Sequence, residues 1–183
     1  MILKVVTSNL GKVREYQEAL SNFSIGAEHV RIPYDEIQTS SLEDVVAKGM
    51  EHLKASGLGD FIIDDSGMFI DALKGFPGVY SAYVQRTIGN AGVLKLMENE
   101  EKRKANFQCC IGCNINEKDI VVLGRCDGMI LKREAGTEGF GYDPIFSPDG
   151  KRSFAEIPIV EKNKISHRGN AVRLLMKEIE KIV

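Results

Sequence analysis

Phe61-Ile62-Ile63-Asp64-Asp65-Ser66-Gly67 is the stretch that decides how this chain is read. Its three apolar residues predict a short buried strand over Phe61–Asp64, and two adjacent carboxylates follow at once. A buried strand ending in acids and a glycine delivers charge to a sheet edge, where ligands of α/β proteins usually bind. Adjacent carboxylates repel each other, and a hard cation with a phosphate ligand would offset them. A surface turn with two solvated acids is the competing reading, and this stretch alone does not separate the two.

Working outward, Ile2–Val6 reads as an apolar strand interrupted by Thr7, Ser8 and Asn9. Val13, Tyr16 and Leu20 then fall at helical spacing, which predicts a helix over Leu10–Leu20 with Asn9 as its N-cap. A strand, a tight polar loop and a helix N-terminus make a phosphate-binding geometry. Lys12 in the first turn opposes the helix dipole, which favours an anion-binding role. The stretch is not a P-loop: Val6 stands where the first glycine belongs and Val13 where Ser or Thr would hold magnesium.

Residues 28–38 read as an irregular strand, and Ser40 with Glu43 as the capping box of a second helix. Leu42, Val46, Gly49, Met50 and Leu53 trace that helix's buried face, and Gly57 and Gly59 end it. Glu36 and Asp65 therefore lie at opposite ends of a strand–helix–strand connection. Gly75-Phe76-Pro77-Gly78 is a turn, a helix is expected over 90–103, and strands over 105–115 and 119–131 form a hairpin through Asn116-Glu117-Lys118. The sheet is therefore expected to be mixed.

Glu138-Gly139-Phe140-Gly141-Tyr142-Asp143-Pro144 places two aromatic rings and an acid on a glycine-shaped loop. It reads equally as a platform for stacking on a flat base and as a hairpin turn with a partly buried Phe. At the last element Ser166 is an N-cap, and Val172, Leu175, Met176 and Ile179 form its stripe. His167 and Arg168 put positive groups in a first helical turn, as Lys12 does.

The 183 residues are expected to form one domain over 1–183. With 43% apolar residues the chain can bury a real core, yet no run is long enough to span a membrane. A net charge of −2 argues against a nucleic-acid binder but permits a small anionic ligand. MILKVVTSN lacks a secretory apolar region, so a cytoplasmic location is expected. Cys110 and Cys113 have zinc-motif spacing, but on a strand they face opposite sides; with Cys109 and Cys126 they are expected to be buried free thiols.

Taken together, Thr7-Ser8-Asn9-Leu10-Gly11-Lys12, Asp64-Asp65-Ser66-Gly67, Gly75-Phe76-Pro77-Gly78-Val79-Tyr80-Ser81, Glu138–Pro144 and Lys162-Asn163-Lys164-Ile165-Ser166-His167-Arg168 resemble, in order and spacing, the inosine triphosphate pyrophosphatase family. The resemblance implies an α/β fold with a long mixed sheet flanked by helices, in two lobes around a central cleft, and a homodimer. It implies magnesium-dependent hydrolysis of non-standard purine nucleoside triphosphates (ITP, dITP, XTP) to the monophosphate and pyrophosphate. On the matching positions, Thr7, Ser8, Asn9 and Lys12 would cradle the triphosphate, with Lys12 assisting catalysis. Glu36 and Asp65 would hold magnesium, Asp65 would be the general base, and Ser66 would bind substrate. Phe140, Gly141, Tyr142, Asp143, Lys162, His167 and Arg168 would bind the purine. Asp64 is left either as a supporting ligand or as a protonated neighbour. The rivals are a Maf-type pyrophosphatase, a phosphatase forming an aspartyl phosphate, and a nucleotide sensor without turnover.

Overall fold

The computed structural model describes residues 1–34 and 37–182. Strand β1 (Ile2–Val6) leads through a three-residue loop into helix α1 (Leu10–Ser21). Asn9 caps that helix as expected, its Oδ1 accepting from the Gly11 and Lys12 amides at 2.8 and 3.4 Å. Strand β2 (Gly26–Val30) runs parallel to β1. The strand expected over 28–38 thus begins earlier and stops at Val30; Pro33, lacking an N–H, cannot extend a ladder. Helix α2 (Leu42–Ala55) is capped by Ser41, one residue beyond the expected Ser40. Ser41 Oγ accepts from the Asp44 amide at 3.2 Å, and this register buries Leu42.

Strand β3 (Phe61–Ile70) overturns the expectation that the strand ends at the acids: it continues through Asp65, Ser66 and Gly67. Strand β4 (Pro77–Gly78) and helices α3 (Ser81–Thr87) and α4 (Gly89–Leu96) follow. Helix α4 stops short of the expected residue 103. The Arg103 guanidinium instead donates to the Met97 and Glu100 carbonyls at 2.6 and 3.2 Å and ties them to Ile130 and Leu131. Strands β5 (Lys104–Ile115) and β6 (Lys118–Ile130) form the expected hairpin. Asn116 and Glu117 both have positive φ, 49° and 63°, the signature of a two-residue hairpin turn matched to strand twist. Strand β7 (Phe146–Ser147), helix α5 (Ile159–Ile165) and helix α6 (His167–Ile179) complete the chain; α3 and α5 were not anticipated.

The strands form one sheet in the order β2-β1-β3-β5-β6-β7, with β4 also on β3. The β1 pairings are parallel and the rest antiparallel, so the sheet is mixed as expected. Side chains alternate across it. One face packs Ile62, Cys109, Ile111 and Cys113 against Tyr16, Leu20, Val172 and Leu175 of α1 and α6. The other packs Phe61, Ile63 and Cys110 against Val46, Met50 and Leu53 of α2. A further cluster joins Met68, Ile70 and Phe107 to Val84, Val93, Phe146 and Phe154. Cys110 and Cys113 therefore do lie on opposite faces, and all four cysteines are free and buried. Burial pushes the Cys110 and Cys113 thiols up to about 12. No helix among the described residues is long and apolar enough to cross a membrane.

One feature of β3 positions the site. Along one edge β5 pairs with all ten of its residues. Along the other, β1 pairs only with Phe61 and Ile62, and β4 only with Met68 and Phe69. Residues 63–67, the two acids among them, thus cross a gap between two strand neighbours.

Helix α6 approaches β6 closely enough that a β-carbon at Gly124 would collide with the backbone of His167 and Ala171. Backbone cannot swing aside as a side chain can. Gly124→Ala is therefore expected to lower unfolding free energy by about 2 kcal/mol, read by urea denaturation; unchanged stability would contradict this packing.

Candidate active site

The two acids of β3 separate because side chains alternate along a strand. Asp64 points to the α1/α6 side and is buried. Its Oδ2 accepts from Lys12 Nζ at 3.1 Å, Arg168 Nη2 at 3.0 Å and Ser66 Oγ at 2.9 Å. Burial opposes its ionisation, but Lys12 and Arg168 outweigh it and hold the carboxyl well below the usual range. Of the two roles open to Asp64, these contacts favour the ionised one. Asp65 is half-buried on the opposite face, opposite Cys110 in the ladder, and its Oδ1 accepts from the Ser66 amide at 2.9 Å. Lys12 also enters the gap, donating to the Asp64 carbonyl at 3.0 Å.

Glu15 is the centre of the site, and the sequence did not reveal it. Its carboxylate accepts from Lys162 Nζ at 2.6 Å and from Arg168 Nη1. Lys162 Nζ also donates to Asp143 Oδ2 at 2.6 Å. Arg168 spans Glu15 and Asp64 and donates to Ser66 Oγ at 3.0 Å. Lys12, Lys162 and Arg168 are thus matched by Glu15, Asp64 and Asp143 in one chain of ion pairs. Lys162 and Arg168 are only 3% and 1% exposed, so the pairing is obligatory. Burial disfavours the charged form of Glu15, but Arg168 and Lys162 bring its pKa below the ordinary value. At Asp143 burial prevails over Lys162 and raises it. The one clue in the sequence was the row Gly11, Glu15, Ala19, an i, i+4 line whose other members are small.

Phe140 closes this network from above. Its ring lies so near α1 that a β-carbon at Gly11 would collide with it. Lys162 Nζ and Arg168 Cζ stand 5.3 and 5.9 Å from its centroid. The Phe140 amide donates to Asp143 Oδ2 at 2.8 Å, so Asp143 shapes the loop as well as pairing Lys162. Gly139, at φ 73°, faces the Asp143 carboxylate where no side chain fits. A cavity of about 410 Å³ is lined by Gly11, Arg14, Glu15, Glu138, Phe140 and Lys162, among others.

Not every anticipated group turns its polar atoms toward this cavity. The Tyr142 hydroxyl donates to the Ser81 carbonyl at 2.9 Å, and the Gly141 carbonyl accepts from Gln85 at 3.2 Å, tying the loop to α3. His167 is buried and stacks on Phe107 at 4.5 Å and 13° between planes. Burial first, then the Arg168 and Lys162 charges, push its pKa well below the usual value, so the ring is neutral. Thr7, Ser8 and Asn9 lie at the mouth of α1, and the Ser166 cap accepts from the Gly169 amide at 3.1 Å. The anticipated metal ligand Glu36 lies outside the described residues.

Among the described residues no group of three or more His, Cys, Asp or Glu side chains could enclose a metal. A single half-buried carboxylate such as Asp65 does suit magnesium, which takes one or two carboxylates and completes its octahedron with water and phosphate oxygens.

These features define an α/β protein with a cleft built on buried ion pairs, where a helix N-terminus meets the gapped strand of a mixed sheet. The model of the Ham1 family matches residues 3–178, and the chain belongs to that family. It is 51% identical to the dITP/XTP pyrophosphatase of Pyrococcus horikoshii, covering 92% of this chain and 91% of that protein. It is 48% identical to the dITP/XTP pyrophosphatase of Thermococcus kodakarensis, covering 94% of each. The solved Staphylococcus aureus Ham1 protein matches over 100% of both chains with a TM-score of 0.82 at 26% identity, in agreement with the expected fold.

Glu15→Gln removes the anion shared by two buried cations and is expected to destabilise the protein by about 3 kcal/mol, measured by urea unfolding. The neutral His167 gives a separate signature. Its folded pKa lies below the 6.5 of the free side chain, so its contribution is complete above pH 6.5 and is lost as pH falls below that value. Relative to His167→Gln, the wild type is expected to lose stability as pH falls below 6.5; parallel thermal-stability profiles would contradict a buried neutral ring.

Proposed function

We propose that this chain hydrolyses non-standard purine nucleoside triphosphates, dITP, XTP and ITP, to the monophosphate and pyrophosphate. The observation that carries the reading is the buried Lys162 ammonium beside the Phe140 ring. Two carboxylates take two of its three N–H groups, and the third is in reserve for a base carbonyl. The names of the two relatives support the substrate class.

The purine stacks on Phe140, and its O6 accepts from Lys162 and from Arg168, whose buried Nε has no partner among the described residues. Adenine presents an N6 amino donor at that position, and donor would face donor. A site built on buried hydrogen bonds rejects such a mismatch by roughly 10⁴-fold. Asp143, Gly141 and Tyr142 hold the loop that carries the ring, and buried His167 supports the start of α6. At the other end of the substrate, the α1 N-terminus with Thr7, Ser8, Asn9 and Lys12 takes the triphosphate. Ser66 adds a hydroxyl beside it.

Asp65 takes a proton from the attacking water as its oxygen bonds to the α-phosphorus. The bond from that phosphorus to the bridging oxygen breaks, and pyrophosphate leaves with the electron pair. Positioning and charge neutralisation carry most of the catalysis. Asp65, with Glu36 from outside the described residues, would hold magnesium, which neutralises phosphate charge. The same reading includes a cytoplasmic homodimer, with exposed Phe76, Tyr80 and Tyr83 offering apolar surface to a second copy.

The test is incubation with XTP, dITP, ITP, ATP and GTP plus magnesium, with identification of the released species. Pyrophosphate from the first three is expected. Inorganic phosphate would instead indicate the aspartyl-phosphate route, and no release at all a sensor. Asp65→Asn is expected to lower kcat about 10³-fold with unchanged thermal stability; near-normal turnover would remove Asp65 as the base.

A further inference from the structure

The outermost described contact of the phosphate loop comes from a side chain that neither the family motifs nor the proposed mechanism uses. His29 sits on β2 opposite Val5 of β1. Its ring Nε2 lies 2.8 Å from the Thr7 carbonyl oxygen. A carbonyl only accepts, so this nitrogen carries the proton and donates. The backbone ladder between the two strands ends one step earlier, where the Thr7 amide donates to the Val30 carbonyl at 3.2 Å. Beyond that point β2 leaves its partner, and the imidazole supplies the donor that the next rung would have supplied.

The consequence passes through a single peptide plane. The Thr7 carbonyl and the Ser8 N–H belong to one planar trans unit, in which they point in opposite directions. Holding the carbonyl against His29 turns the Ser8 N–H away from β2, toward the other edge of β1. That N–H finds no acceptor among the described residues. The Asn9 amide, by contrast, is bonded to Thr7 Oγ1 at 3.1 Å, and those of Gly11 and Lys12 to Asn9 Oδ1. Among the described residues, Ser8 therefore keeps an unused backbone donor just before α1.

We infer that His29 is a positioning residue for the triphosphate: it fixes the Thr7–Ser8 peptide so that the Ser8 amide is presented to a phosphate oxygen. The inference rests on the reading of Thr7–Lys12 as the phosphate cradle. Without the imidazole the peptide is free to rotate, and the donor is lost from the site without loss of any group that touches the reacting atoms.

Four variants, three at His29 (Leu, Gln and Ala) and one at Lys12, and two readouts test it. Gln can place an amide N–H where Nε2 stands, whereas Leu cannot. His29→Leu is expected to raise KM for XTP about tenfold, the size of one hydrogen bond to a charged group, with kcat within about twofold. Binding of inorganic tripolyphosphate, followed by calorimetry, is expected to weaken by the same factor, while binding of the nucleoside xanthosine does not change. His29→Gln is expected to recover most of both effects, and it remains informative if the Leu variant fails to fold: weakening by Gln equal to that by Ala would overturn the donor role. Wild-type KM and tripolyphosphate affinity in His29→Leu would also overturn it. Lys12→Ala separates the two layers. If it loses tripolyphosphate affinity while His29→Leu does not, the cradle stands and the His29 role falls. If it keeps full affinity, the cradle itself falls and the inference with it.

Discussion

The structure depends on a guanidinium that has no access to water. Arg168 is 1% exposed, and its charge is tolerable only because Glu15 lies on one side and Asp64 on the other. Breaking one member of such a group costs about 3–5 kcal/mol, because the remaining charge stays buried. The three partners come from α1, β3 and α6, elements far apart in sequence. The pairing therefore fixes how the first helix and the last lie on the sheet, and Lys162 adds α5 and the glycine loop through Glu15 and Asp143. The groups that would read a base and the strand that would carry the reaction are held in one register by one set of ion pairs.

The gap in β3 follows from strand lengths. Strand β1 ends at Val6 because Thr7–Asn9 must turn into α1, and β4 is only two residues long. What remains is a central strand with one open edge, normally an unfavourable arrangement for backbone groups. Lys12 answers part of it by donating to the Asp64 carbonyl. Alternation then does what neither acid could do alone. It puts Asp64 among cations on one face and Asp65 on the other, so adjacent carboxylates need not share a common environment.

Most local contacts are legible in the sequence, although the α2 cap lies one residue beyond Ser40, and the long-range ones are not. Asn9 and Ser166 are visible as caps because a cap is a contact over two or three residues. The Asn116-Glu117 turn and the alternation that separates Cys110 from Cys113 are local in the same sense. The length of β3 was misjudged because acids and a glycine look like an ending; only the unbroken pairing with β5, residues away in the chain, carries the strand through them. Glu15 was missed for a related reason. Within α1 it is an ordinary helix acid, and its partners lie roughly 150 positions downstream. His167 was legible as a basic residue in a first turn, but its stack on Phe107 depends on a strand that only the folded sheet brings beneath it.

The two ends of the site also differ in their electrostatics, and this bears on the ligand. Around Phe140 the buried Lys162 and Arg168 are paired with Glu15, Asp64 and Asp143, so that end suits a neutral ring recognised by hydrogen bonds. At the mouth of α1, the helix dipole and the Ser8 amide, which has no acceptor among the described residues, are not balanced by any acid in the helix's first turn, so that end suits an anion. A ligand that is neutral and planar at one end and multiply anionic at the other matches both. The same arrangement explains how a chain of net charge −2 can bind a polyanion: the attraction comes from a few oriented groups at one point on a surface whose average charge is weakly negative.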